Sequence, residues 1–184
     1  MMGDPKKKHK LYNTPKAPYD VATLEEELRL IGVYGLRNKR ELWRKRTELS
    51  TLRRRARGML SMDPVERADD QRALIRKLYN LGLVSENAGL EDVLTLNIQE
   101  ILERRLQTVV FRRKLAKTPY QARQFITHGH IALGGRKVKA PSYHVSLMDE
   151  ESLDYAESSP LHAREHPLRQ EMTQEELKGG EPVE

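Results

Sequence analysis

HGHIALGGRKV, residues 128–138, places two histidines, three glycines and two cations around one short apolar run. The alternation of HIAL and RKVK about Gly134-Gly135 predicts a β-hairpin, because a two-residue primed turn needs positive φ at both centres and glycine supplies it without strain. Such a turn sets the register: Leu133 opposite Arg136, Ala132 opposite Lys137, Ile131 opposite Val138, His130 opposite Lys139. Ile131, Leu133 and Val138 then share a core face, and His130, Lys137 and Lys139 fall on the other.

Immediately upstream, Thr118-Pro119 is a cap followed by proline at the first helical position, and Gly129 is a stop, so PYQARQFITHG reads as a short helix. From Asn97, ILERRLQTVVFRRKLA reads as one continuous helix with Leu102, Leu106, Val109 and Val110 on one stripe and Phe111 and Leu115 on the far side. PSYHVSL, after the hairpin, reads as a further strand. Two helices and a hairpin thus form a small module.

Farther out the pattern is helical. TLEEELRLIG offers Thr23 as N-cap and Gly32 as stop. A second helix spans Lys39 to Leu60, with Leu42, Leu49, Leu52, Ala56 and Leu60 on its apolar stripe and Arg44, Arg54 and Arg55 elsewhere. A third begins at Asp63-Pro64-Val65-Glu66, runs to Gly82 and is expected to bury Val65, Ala68, Ile75 and Leu78. LVSENAGLEDVLTLN is a connector with at most a short helical turn. The expected organisation is an extended basic arm (1–22), a helical N-terminal domain (23–96), the helix-and-hairpin module (97–160) and an acidic, flexible tail (161–184). The expected fold class is α+β, mostly helical.

Charge narrows the function. Of 184 residues, 33 are Lys or Arg and 27 Asp or Glu, for a net charge of +6. The halves differ: residues 1–146 carry +14 and residues 147–184 carry −8. A body so cationic points to nucleic acid ahead of an anionic membrane surface. No stretch approaches the ~20 apolar residues of a membrane span, and MMGDPKKKHKLYNTPKAPYD lacks the apolar centre of a secretory signal, so a cytoplasmic location is expected. That opening stretch is too polar to fold alone; Lys6, Lys7, Lys8 and Lys10 make it an arm for a polyanion.

Catalytic motifs fail on chemistry. Gly129 and Gly134 have phosphate-loop spacing, but Gly135-Arg136 stands where Lys-Ser/Thr is required. His162 and His166 are four apart, yet Pro167 follows and the chain has no cysteine, so no thiolate zinc site can form. His128 and His130 have no nucleophile or carboxylate near them in sequence. No enzyme activity, metal or cofactor is expected. RNA binding fares better: Arg112, Arg113, Lys114, Lys117, Arg123, His128, His130, Arg136 and Lys137 crowd the ends of the module's elements, and the helix start at Thr118-Pro119 adds amide donors. Scattered basic groups suit the shape of folded RNA, and none of the base-reading DNA motifs is present.

ERRLQTVVFRRKLAKTPYQARQFITHGHIALGGRKVKAPSYHV, residues 103–145, resembles the S-four family, the RNA-binding module of small ribosomal subunit protein four. ERRLQT, LAKT followed by AR, HGHI and PSY carry the likeness in order and spacing, and KLYNTPKAPYD and YGLRNKRELWR extend it over most of residues 5–160 in an archaeal or eukaryotic form. The resemblance implies a ribosomal protein that grips a junction in the 5′ region of small-subunit rRNA, nucleates assembly and lies near proteins three and five where mRNA enters. It implies RNA-facing roles for Arg104, Arg105, Arg112, Lys117, Thr118, Arg123, Gln124, His128, Gly129 and His130. Arg44, Arg53, Arg54 and Arg55 of the second helix are expected as further contacts on their charge alone. Many relatives hold a cysteine-bound zinc that this chain cannot form, and its acidic tail departs from the basic one of eukaryotic relatives. The rival expectation is an RNA-modifying enzyme or a ribosome-associated factor carrying the same module. Changing Arg112 and Arg123 to Gln is expected to weaken binding and flatten its salt dependence without unfolding the protein.

Overall fold

The computed structural model describes residues 10–163 and 165–170; Lys6, Lys7 and Lys8, and the acidic stretch from Glu171 onward, lie outside the described residues. Helix α1 spans Val21–Tyr34. Its cap is Asp20, not Thr23: the Asp20 carboxylate accepts from the Thr23 amide at 3.2 Å and from its hydroxyl at 2.7 Å. Nor does Gly32 stop it. The helix runs on through Tyr34, which is buried, and ends at Gly35 with φ 58°. Only glycine fits there, since a Cβ would lie 2.7 Å from the Cβ of Pro119.

Helix α2 spans Lys39–Leu60 as expected, capped by Asn38, whose side chain accepts from the Glu41 amide. Leu42, Leu49 and Ala56 are buried, Leu52 is half-buried, and Met59 takes the place expected of Leu60, which is exposed. Helix α3 spans Pro64–Asn80. Leu74 and Leu78 are its buried residues; Ala68 and Ile75 are half-buried and Val65 is 88 % exposed. The first turn of α3 stands at the α2–α3 tip, where Leu60 and Met62 are exposed too, so nothing is there to cover Val65. Asp63 makes no side-chain cap bond.

The connector is more than a linker. Helix α4, Leu90–Thr95, buries Leu90 and Val93 in one cluster with Leu49, Ala56, Met59, Leu74 and Leu78. Leu96 and Ile101 complete it, so this core crosses the expected boundary at 96/97.

The helix expected from Asn97 is broken in two. Helix α5 is Ile98–Glu103 and α6 is Leu106–Arg112, with Arg105 extended between them at ψ 141°. A second helix start leaves amides without intrahelical partners. Residues 141–145 meet that need: the Leu106 amide donates to the Tyr143 carbonyl at 2.8 Å and the Gln107 amide to the Pro141 carbonyl at 3.3 Å. In return, the Val145 amide donates to the Arg104 carbonyl. PSYHVSL is therefore not a strand; it makes a single bridge, Arg105 to His144, and serves the helix break.

Helix α7, Pro119–His128, is capped by Thr118 and ends at Gly129 in the left-handed conformation, as read from the sequence. The hairpin forms about the expected turn: β1 is Ile131–Leu133, β2 is Arg136–Lys137, with Ala132 opposite Lys137 and Leu133 opposite Arg136; the Val138 amide still donates to the Ile131 carbonyl, but the expected His130–Lys139 pair is not part of the ladder. The third strand comes from a stretch that the sequence pattern did not mark as one. After the short helix α8, Leu147–Glu151, strand β3, Leu153–Tyr155, pairs antiparallel with β1 to give the order β2-β1-β3. With β1 in the middle, Ala132 is buried alongside Ile131 and Leu133. The module's core joins Val110, Phe125, Ile126, Ile131, Val145 and Tyr155, and Leu161 from a 3-10 turn at Pro160–His162 closes it. The fold is α+β and mostly helical. Among the described residues no helix is long and apolar enough to cross a membrane.

Candidate nucleic-acid interface

Helix α7 sorts its side chains by face. Ala122, Phe125 and Ile126 are buried, while Tyr120, Gln124 and His128, four apart, form an exposed stripe along the opposite side. Thr118 is exposed at the start of that helix, its hydroxyl accepting from the Gln121 amide, and the Lys117 amide donates to the Gln121 side chain. At the other end Lys139 lies against Gly129, within 3.2 Å of where a Cβ would stand, so an exposed cation sits beside His128. Arg136 and Lys137 are exposed on the hairpin, and Arg112, Arg113 and Lys114 at the end of α6. Lys114 adopts φ 57° although it is not glycine, turning the chain from α6 toward α7.

Other expected contacts are spent inside the protein. Arg105 is 1 % exposed; its Nη2 donates to Glu41 Oε2 at 2.9 Å. Arg123 forks onto the same carboxylate, Nη2 to Oε1 at 2.6 Å and Nη1 to Oε2 at 3.2 Å, and also donates to Gln107 Oε1. Gln107, buried, donates to the carbonyls of Gly35 and Pro119 at 2.7 and 2.9 Å. One network thus ties α1 and α2 to α6 and α7. Burial alone would raise the Glu41 carboxyl, but the Arg123 hydrogen bonds and the Arg105 charge hold it below the ordinary range. Arg105 leaves the RNA-facing set for lack of exposure, and Arg123 is a structural tie before it is a contact.

Arg104 is paired with Glu150 and donates from Nε to the Gly82 carbonyl, which anchors α5 to α8 and the end of α3. Arg112 is exposed yet forked onto Glu103, at 3.0 and 2.7 Å. Glu103 also accepts from the Tyr34 hydroxyl; burial and that bond push the Tyr34 pKa up to about 12. His130 is half-buried, its Nδ1 at 2.9 Å from Ser159 Oγ and its ring edge-on to Phe125, so it braces the hairpin more than it faces outward. Gly129 is buried.

On α2, Arg44, Arg54 and Arg55 are exposed as expected, whereas Arg53 donates to the Leu96 carbonyl at 2.7 Å and locks α4 in place. Lys10 stacks over Tyr12, whose ring meets Trp43 at 5.9 Å, and the Asn13 amide donates to Thr47, so the arm lies along α2. Sequence reasoning passed over Tyr120 and Lys139. The i, i+4, i+8 spacing of Tyr120 with Gln124 and His128 was a usable signal, and the hairpin register already put Lys139 opposite His130. A trio around the buried Lys45 was also missed: Glu48 accepts from Lys45 Nζ at 3.0 Å, and both meet His144. Burial would raise the Glu48 carboxyl, but His144 and Lys45 pull it down to about 2.

The surface offers charged donors and the exposed ring of Tyr120. That suits phosphate contact and base stacking. Among the described residues no group of three His, Cys, Asp or Glu is placed to hold a metal ion.

Residues 104–151 match the family model of the S4 domain. Over 175 residues the chain is 48 % identical to a protein of Hyperthermus butylicus named small ribosomal subunit protein uS4, spanning 95 % of this chain and 98 % of that relative. A protein of that name from Ignicoccus hospitalis is 50 % identical over 159 residues, 86 % of this chain and 96 % of its own length. One from Methanospirillum hungatei is 49 % identical over 176 residues, 92 % and 96 % of the two chains.

Proposed function

This chain belongs to the uS4 family of small ribosomal subunit proteins, and from that premise we propose that it is a structural constituent of the small subunit that binds the 5′ region of small-subunit rRNA at a helical junction and nucleates assembly there. The observation that carries the RNA-binding reading is the exposed Tyr120–Gln124–His128 stripe of α7, flanked by Lys117 at one end and Lys139 at the other. The contact set is Arg112, Arg113, Lys114, Lys117, Thr118, Gln124, His128, Arg136, Lys137 and Lys139, with Tyr120 as a stacking platform. Arg44, Arg54, Arg55 and the arm lysines extend it over the helical region. Neighbouring proteins three and five, a place where mRNA enters, and a cytoplasmic location follow as parts of the same proposal.

If six such cations meet phosphates, affinity falls about 10³-fold between 50 and 200 mM salt. The test is filter binding of the full chain to separate 5′- and 3′-domain fragments of small-subunit rRNA across that range. Preference for the 5′ fragment with a steep slope is expected; equal, shallow binding to both overturns the reading. Sedimentation decides against the rival of an enzyme or transient factor: a resident protein stays with small subunits through a high-salt wash.

A further inference from the structure

A second face of the molecule carries its own ligand chemistry. Between α2, α3 and the start of the arm lies a cleft of about 560 Å³, away from the α7 stripe and within the size range of small-ligand sites. Its wall carries an apolar patch, with Leu52, Leu81 and Leu83 half-buried along it, beside polar and charged side chains. Its rim is cationic: Arg44 and Arg55 project from α2 and Lys77 from α3, all exposed, and none of the three is ion-paired among the described residues.

The two acids in the wall add no free negative charge. Glu41 is held by Arg105 and Arg123, and Glu48 by Lys45 and His144. Arg105, 1 % exposed, also lines the cleft, and its Nε is buried without a hydrogen-bond partner. Leu11 reaches the cleft mouth, and the Asn13 amide is held by Thr47.

We propose that this cleft takes one unpaired RNA nucleotide, its base against the leucines and its phosphate on Arg44, Arg55 and Lys77. A leucine patch inside a cationic rim matches a nucleotide, which joins a flat weakly polar base to a strong anion. A purely anionic partner has no use for the leucines, and an apolar one has none for the rim. The inference rests on the rRNA-binding reading above and adds a site to it.

The test is photo-crosslinking of the full chain to a 5′-domain rRNA fragment carrying 4-thiouridine, with peptide mapping, in wild type and in an Arg55→Gln/Lys77→Gln variant. Crosslinks are expected both in the α7–hairpin module and in peptides spanning residues 44–55 or 77–83. The variant should lose the second set about tenfold and keep the first, and AMP at millimolar concentration should compete for the second set far better than ribose 5-phosphate or inorganic phosphate. Crosslinks confined to the module overturn the cleft proposal and leave the function standing; no crosslink anywhere overturns both. Equal competition by a glutamate-rich peptide and AMP would assign the cleft to an acidic protein segment and overturn the nucleotide. Unchanged thermal unfolding of the variant guards against a folding defect, since both side chains are exposed.

Discussion

Replacing Glu41 by Gln should be costly out of proportion to one exposed-looking acid near a helix start. The carboxylate receives three hydrogen bonds, one from Arg105 and two from Arg123. Arg105 has 1 % of its surface in water and pairs with no other acid among the described residues, so the substitution leaves a buried guanidinium without that counter-charge. Breaking one side of a buried pair costs about 3–5 kcal/mol. Glu41 and Arg123 keep 16 % and 23 % of their side chains exposed, so water recovers part of that and the low end, about 3 kcal/mol, is expected. At ~2–4 °C per kcal/mol for a chain of this size, Tm falls by about 6–12 °C. Calorimetry of the full chain, free of RNA, measures it. Glu41→Leu combined with Arg105→Met removes the buried pair and leaves only the partly exposed Arg123 to be met by water, so it should restore part of the loss, because a buried pair is worth little against well-packed apolar groups. A Glu41→Gln melt within about 2 °C of wild type, or a double variant worse than the single, refutes the claim that this network joins the helical region to the module.

Gly35→Ala should cost ~2 kcal/mol or more in urea unfolding, since it combines φ 58° with a Cβ 2.7 Å from Pro119. Lys114→Gly, at φ 57°, relieves left-handed strain and should leave stability equal or higher by up to ~1 kcal/mol, while lowering the salt slope of rRNA binding by about one; a clear loss of stability would show the strain argument wrong. Acid unfolding should register Glu48. Its folded pKa, about 2, is depressed below the ordinary 4.5, so its stabilisation is complete above that value and drains as pH falls toward 2. Glu48→Gln should flatten the wild-type decline between pH 4.5 and 2, and parallel curves would refute the pairing with Lys45 and His144. Arg123→Gln should lower Tm as well as affinity, whereas Arg112→Gln, with its ion pair exposed, should change affinity alone.

The local rules carried far where the signal was short-range. Thr118-Pro119 and Gly129 bracket α7, Gly134-Gly135 sets the hairpin register, and the α2 stripe gives that helix to the residue. Each depends on φ, capping or periodicity among neighbours, and no distant residue competes for the same backbone groups. Composition and charge asymmetry likewise pointed to nucleic acid before any fold was drawn.

Distant partners decided the rest. ERRLQT has helical periodicity throughout, yet α5 and α6 part at Arg105 because carbonyls of residues 141–143 take the Leu106 and Gln107 amides. LDY at 153–155 shows only three residues of alternation, and it becomes a strand because β1 offers a free edge. The same holds for the arginines. Arg104, Arg105, Arg113 and Arg123 look alike in a string of letters, but Glu41 and Glu150, 64 and 46 residues away from two of them, convert three into internal ties and leave Arg113 at the surface. Short-range backbone preference is written in adjacent residues; which cation faces water depends on where an acid comes to rest, and only packing of the whole chain sets that.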